Sequence, residues 1–137
     1  MTLQTAIAQL QTTLGALTGI RNAPEYPPDN ASAFPFIIAY AGPGGFTAGE
    51  PAGMMKYLGS IVIDLHLARK DLPRDVEKAM AYHDSIPDAI LGDTTLGGTI
   101  STCGEVRTSG LIFLKYAETD TIGIRFTIEN VKIQANL

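Results

Sequence analysis

From Tyr57 to Ala68 the chain reads YLGSIVIDLHLA, and this run limits the possible folds more than any other segment. Tyr57, Ile61, Ile63, Leu65 and Leu67 alternate with Leu58, Ser60, Val62, Asp64, His66 and Ala68. Side chains on a strand point to opposite faces in turn, so a period of two predicts a half-buried strand. One face is apolar and the other carries Asp64 and His66. Such a strand requires hydrogen-bonding neighbours and a layer to cover its apolar face.

The chain supplies both. Leu3, Ile7, Leu10, Leu14 and Leu17 follow spacings of four and three, which predicts an amphipathic helix with Thr2 as N-cap and Gly15 or Gly19 as its stop. Gly19 to Phe36 holds four prolines and reads as an extended connector. Phe34, Phe36, Ile38 and Tyr40 then alternate as a strand whose start, at Pro35, belongs at a sheet edge. Asp71 and Pro73 open a second helix with Val76, Ala79, Met80 and His83 turned inward, and SIPD at 85–88 predicts a break or kink and a short further helix through Leu91.

After the turn-rich LGDTTLGGT, three strands are expected: Thr99–Arg107, Gly110–Tyr116 and Thr121–Ile133. In the last, Ile122, Ile124, Phe126 and Ile128 share a parity that Val131 and Ile133 reverse, which predicts either a bulge near Glu129 and Asn130 or a strand end facing a different neighbour. The expectation is one α+β domain over residues 1–137. Its sheet is mostly antiparallel with about five strands, and an N-terminal helix and a middle helix, plus a short one, pack on one face.

Charge and cysteine content narrow the function classes. Ten Lys and Arg stand against 14 Asp and Glu, for a formal charge of −4, and the basic residues are scattered rather than striped. A basic nucleic-acid-binding surface is therefore not expected, although DNA can pass a mildly negative wall. Cys103 is the single cysteine, so no intramolecular disulfide can form and a buried thiol in a reducing compartment is expected. No secretory signal pattern is seen, and no apolar run reaches the roughly 18 residues that span a membrane.

The segment YAGPGGFTAGEPAGMMKY, Tyr40 to Tyr57, raises the question of a phosphate loop. It lacks the lysine-hydroxyl ending and is followed by a strand instead of a helix. A connection of about fifteen residues between strands exceeds hairpin norms, so a mobile contact loop is expected over 42–56, with Phe46, Met54 and Met55 as apolar anchors. Asp64 and His66 are the candidate metal or proton-transfer pair, with Asp71, Asp75 or His83 as a possible third group. The sign-mixed KDLPRDVEK reads as a solvated helix start, leaving Arg69 and Lys70 free for a partner's carboxylates.

Taken together, APEYPPDNASAFPFIIAYAG, IVIDLHLARKDLPRDVEKAM, DTTLGGTI and DTIGIRFTIENVKI resemble the small tail terminator proteins of long-tailed phages and the related tail-completion and head-tail joining proteins. The likeness runs from about Leu3 to Ile133 and lies in segment order. It implies a non-enzymatic virion protein without catalytic residue, metal or cofactor, assembled in the bacterial cytoplasm. Its expected form is a homohexameric ring at the head-tail junction. The implied partners are further copies of itself, the major tail tube protein and a head-completion or connector protein. Two other classes stand beside it: a small metal-dependent enzyme centred on Asp64 and His66, and a generic protein-binding module.

Overall fold

A computed structural model describes residues 2–31, 33–48 and 54–136. Helix α1 (Leu3–Gly15) is followed by strands β1 (Phe36–Ala48) and β2 (Met54–Ala68), helix α2 (Leu72–Leu91), and strands β3 (Val106–Tyr116) and β4 (Thr119–Asn136). The strands form one antiparallel sheet in the order β1-β2-β4-β3. The architecture is α+β, with four strands where about five were expected.

The apolar parities predict the core. Ile61, Ile63, Leu65 and Leu67 of β2 are buried together with Ile122, Ile124, Phe126 and Ile128 of β4. Ile7, Leu10 and Leu14 of α1 and Ala79, Ile86 and Ile90 of α2 pack against them in one cluster. Burying each large aliphatic side chain stabilises the fold by about 1.5–3 kcal/mol. Thr2 caps α1 by accepting the Thr5 N–H at 3.1 Å, and the helix stops at Gly15. Cys103 is buried, and that burial raises its thiol pKa.

Four expectations are corrected. First, α2 does not break at Ser85–Asp88: it runs through Pro87, because Ile86 and Ile90 are fully buried on the same side and hold the last turns against the sheet. Its inward stripe is set by Asp75, Ala79, Ile86 and Ile90, so Met80 is 46% exposed. Second, Asp71 is the N-cap and Pro73 lies in the first turn as expected, but the Asp71 side chain makes no cap bond. Asp75 reaches back instead, its Oδ2 accepting the N–H groups of Lys70 and Asp71 at 2.9 and 3.0 Å.

Third, of the strand expected over Thr99–Arg107 only Val106 and Arg107 are extended into the sheet, as the start of β3. Leu96, Gly97 and Gly98 all have positive φ and wind the chain, and residues 101–104 meet β4 through an isolated bridge between Thr102 and Lys132 and a bond from the Gly104 N–H to the Glu129 carbonyl, without forming a ladder. Nor does Gly110 begin a strand; at φ 72° it sits in a bulge inside β3, where the register slips between Thr108 and Leu111. Fourth, 42–56 is not one long loop. Gly44 to Ala48 pair residue by residue with Gly59 to Met55, which leaves 49–53, outside the described residues, as the connection.

The bulge expected near Glu129 and Asn130 is present, and it has a twin. Opposite the single residue Ser60, both β1 (between Ala41 and Gly44) and β4 (between Ile128 and Val131) carry one residue too many. Asn130 takes φ 57°, which Asn tolerates better than most residues. Pro43, which has no N–H to offer a ladder, sits in the β1 bulge, where its carbonyl accepts the Ser60 hydroxyl at 3.0 Å. In β4 the extra residue returns Val131 and Ile133 to the core side. Beyond this line β1, β2 and β4 continue as a three-stranded finger.

Candidate functional site

Three places collect the residues singled out in the sequence. On the second face of the sheet, Asp64 stands directly across from Arg125 in the β2–β4 register. Arg125 Nε and Nη2 donate to the two Asp64 oxygens at 2.7 and 3.1 Å, and the Tyr40 hydroxyl donates to Oδ2 at 3.1 Å. This is a bidentate, charge-assisted arrangement around a buried carboxylate. It raises the Arg125 pKa, while burial first and the Asp64 charge second raise that of Tyr40.

Next to it His66 is 1% exposed, its Nδ1 2.7 Å from the Thr121 hydroxyl and its Nε2 buried without a partner among the described residues. Phe36 and Tyr116 close over the imidazole, with ring centroids 6.0 and 5.5 Å away. Burial dominates its pKa and lowers it, with Arg125 adding to the effect and Asp64 opposing it. The alternation of β2 does bring Asp64 and His66 to one face. Both Asp64 oxygens and one His66 nitrogen are already engaged, however, and the three suggested third groups lie elsewhere. Asp71 pairs with Arg74 at 3.5 Å, Asp75 caps α2, and His83 contacts Asp84 at 2.9 Å. Among the described residues no group of three or more His, Cys, Asp or Glu side chains converges as metal ligands would.

The finger is the second place. Phe46 lies opposite Tyr57, ring centroids 4.9 Å apart, yet remains 66% exposed. The Tyr57 ring covers the paired Gly44 and Gly59 so closely that neither position has room for a Cβ. Leu58 is 50% exposed, and it lines a hollow with Lys56 and Lys132. Met55 is half-buried opposite Ala48; the Met54 side chain lies outside the described residues.

Arg69 and Lys70 form the third place, at the other end of β2, roughly 40 Å along the strand from Phe46. They diverge from each other. The Arg69 guanidinium sits 4.5 Å above the exposed ring of Phe113, a cation–π contact. Lys70 lines a cavity of ≈ 630 Å³ whose other cations are Arg21, Arg74 and Lys78. Lys78 was legible only as part of the solvated KDLPRDVEK start, and Arg21 lies 57 residues before it; only the fold brings them together.

Two anchors were also missed. Buried Gln11 donates from Nε2 to the carbonyls of Pro24 at 2.7 Å and Ile37 at 3.0 Å. Its position four residues after Ile7, inside the apolar stripe, was the available signal. Arg125, between the core residues Ile124 and Phe126, gave no sign of its partner. No family model matches the chain, and no curated protein matches it at a significant level.

Proposed function

We propose that this chain is a structural, ring-forming protein of the tail terminator or tail-completion kind. It caps the head-proximal end of a phage tail tube, ends tube polymerisation and joins the tail to a head-completion or connector protein. The ring is a homohexamer in this proposal, and DNA passes through it without sequence-specific contact.

The finger is the observation that carries the proposal. Beyond the paired bulges, β1 is exposed from Pro43 to Ala48 and forms the edge of the sheet. An open edge offers unpaired backbone groups to another chain, and exposed Phe46 and Leu58 add apolar area where a monomer gains nothing from it. Closing a ring requires two different surfaces on each subunit. The finger and the opposite end of β2 are far enough apart to serve separate partners.

The test mixes the purified protein with polymerising tail tube protein and follows tube length by electron microscopy. Capped tubes of arrested length are expected, with Phe46→Ser together with Leu58→Ser abolishing the cap. A protein that stays monomeric at high concentration and leaves tube growth unchanged would overturn the proposal.

A further inference from the structure

Residues 22–31 form an arm without a single Lys or Arg, carrying Glu25 and Asp29. Asn22 ties its start to Pro35 and Ile37 through backbone bonds, and two side chains hold the rest: Gln11 donates to the Pro24 carbonyl, and the Tyr116 hydroxyl to the Pro28 carbonyl. Between these points Glu25, Tyr26 and Pro27 stand exposed, Tyr26 at 63%. A large aromatic side chain on a fixed backbone loses little entropy on binding. Among the described residues the Tyr26 side chain makes no hydrogen bond and no aromatic contact.

The complementary surface is the cavity at Lys70. Four of the chain's ten Lys and Arg residues, Arg21, Lys70, Arg74 and Lys78, surround an apolar floor that includes Phe34 and Leu67. Asp71 is taken by Arg74, and Asp75 by backbone N–H groups; among the described residues Arg21, Lys70 and Lys78 form no ion pair. Past Lys78 a second hollow of ≈ 640 Å³, which also shares Arg21 and Phe34, continues to Tyr82 and Ser85. The shape is a groove, fitted to an extended segment more than to a compact ion.

We infer that the groove of one copy receives the Glu25–Asp29 arm of a second copy, with Tyr26 on the apolar floor and the two carboxylates against Arg21, Lys70 and Lys78. Arm and groove are different surfaces of one chain, so the contact is head-to-tail and closes into a ring or runs on as a filament. The inference rests on the ring-forming function proposed above and names the contact that makes the ring.

Charge reversal tests it. Chains carrying Glu25→Lys with Asp29→Lys, or Lys70→Glu with Lys78→Glu, should each self-associate about tenfold more weakly in sedimentation equilibrium. All four side chains are exposed, so both variants should keep the parent's circular dichroism and melting temperature. An equimolar mixture restores association, because each variant's arm then meets a groove of opposite charge. Independently, benzoylphenylalanine at position 26 in mixed isotope-labelled and unlabelled chains should cross-link one copy to the Phe34 or Lys78 region of another.

Unchanged association in both variants, no rescue on mixing, or cross-links confined to one copy would each overturn the inference. So would inorganic phosphate saturating the Lys70 and Lys78 resonances while association stays intact, since the groove would then be an ion site. If both variants still cap tubes as well as the parent, the proposed function survives and this contact does not. If copies associate through arm and groove yet no tube is capped, the contact survives and the tube-capping function does not.

Discussion

Phe36 to Ala39 of β1 are buried, whereas Pro43 to Ala48 of the same strand stand in solvent. In the first half, α1 and α2 cover one face of the sheet, while Phe36, His66 and Tyr116 pack together on the other under the connector. In the second half, the ladder to β2 and the Phe46–Tyr57 contact hold the strand, and most of its side chains contribute little to folding. The difference teaches where selection for stability ends. Side chains in the base are committed to one another, as are Tyr57, Val131 and Ile133 of the finger, whereas those of β1 from Pro43 to Ala48 stand outside the core.

Two glycines give the sharpest way to break this contrast. A Cβ at Gly123, in the base, would sit 1.7 Å from the backbone oxygen of Leu65, so strands β2 and β4 cannot keep their spacing around it. Gly123→Ala is expected to cost more than about 4 kcal/mol, in the range reserved for severe core damage, or to prevent folding. Urea denaturation measures it; a loss under about 1 kcal/mol would show that the base yields as easily as the finger.

Arg125→Ala is the next largest. It leaves the buried Asp64 carboxylate with Tyr40 as its remaining partner, and removing one side of a buried pair typically costs about 3–5 kcal/mol. Because the Arg125 side chain is itself 46% exposed, the low end of about 3 kcal/mol is expected. Arg125→Lys should recover only part, since a lysine cannot reproduce the two-pronged bond. Equal stability of parent and Arg125→Ala would mean that water replaces the guanidinium at no cost.

A smaller effect follows from His66, whose pKa is lowered in the folded chain. The unfolded chain then takes up its proton first as pH falls through the ordinary histidine value near 6.5. Stability should accordingly be full above that pH and decline below it, by at most about 1.4 kcal/mol per pH unit. Once pH drops below the folded-state pKa, this contribution levels off. Asp64 and Arg125 face the ring with opposite signs, and Tyr116 and Thr121 are neutral there, so burial sets the direction. His66→Phe, a ring that suits the cluster with Phe36 and Tyr116, should flatten the profile between pH 7 and 5; an unchanged slope would assign it to other groups.

The contrast also explains what the sequence disclosed. Base strands were legible because Ile122, Ile124, Phe126 and Ile128 obey a period of two, and even the bulge showed as the reversed parity of Val131 and Ile133. The finger was hidden, since GPGGFTAG offers a pattern reader no alternation. Its pairing is a backbone property, stabilised by Tyr57 covering Gly44 and Gly59, and a single sequence cannot show which glycines meet. Pairings at long range were equally invisible: Asp64 is 61 residues from Arg125, and Tyr116 is 88 from Pro28. Chemistry at Asp64 and His66 looked open because their shared face was predictable while their partners were not.

Gly45 supplies the weakest and most discriminating prediction. It lies in the finger opposite Leu58, its φ is not positive, and among the described residues nothing stands within 4 Å of where its Cβ would be. Gly45→Ala removes backbone freedom from the unfolded chain without meeting a neighbour, so stability should stay the same or rise by up to about 1 kcal/mol. The same added methyl group that ruins position 123 is thus harmless at 45. The two can diverge again on assembly: a partner chain lying against β1 approaches the Gly45 backbone, and the methyl group then obstructs it. Gly45→Ala with native stability but weakened tube capping would place the partner on the finger's open edge. Native stability with full capping would move the contact to the side chains of Phe46 and Leu58 alone.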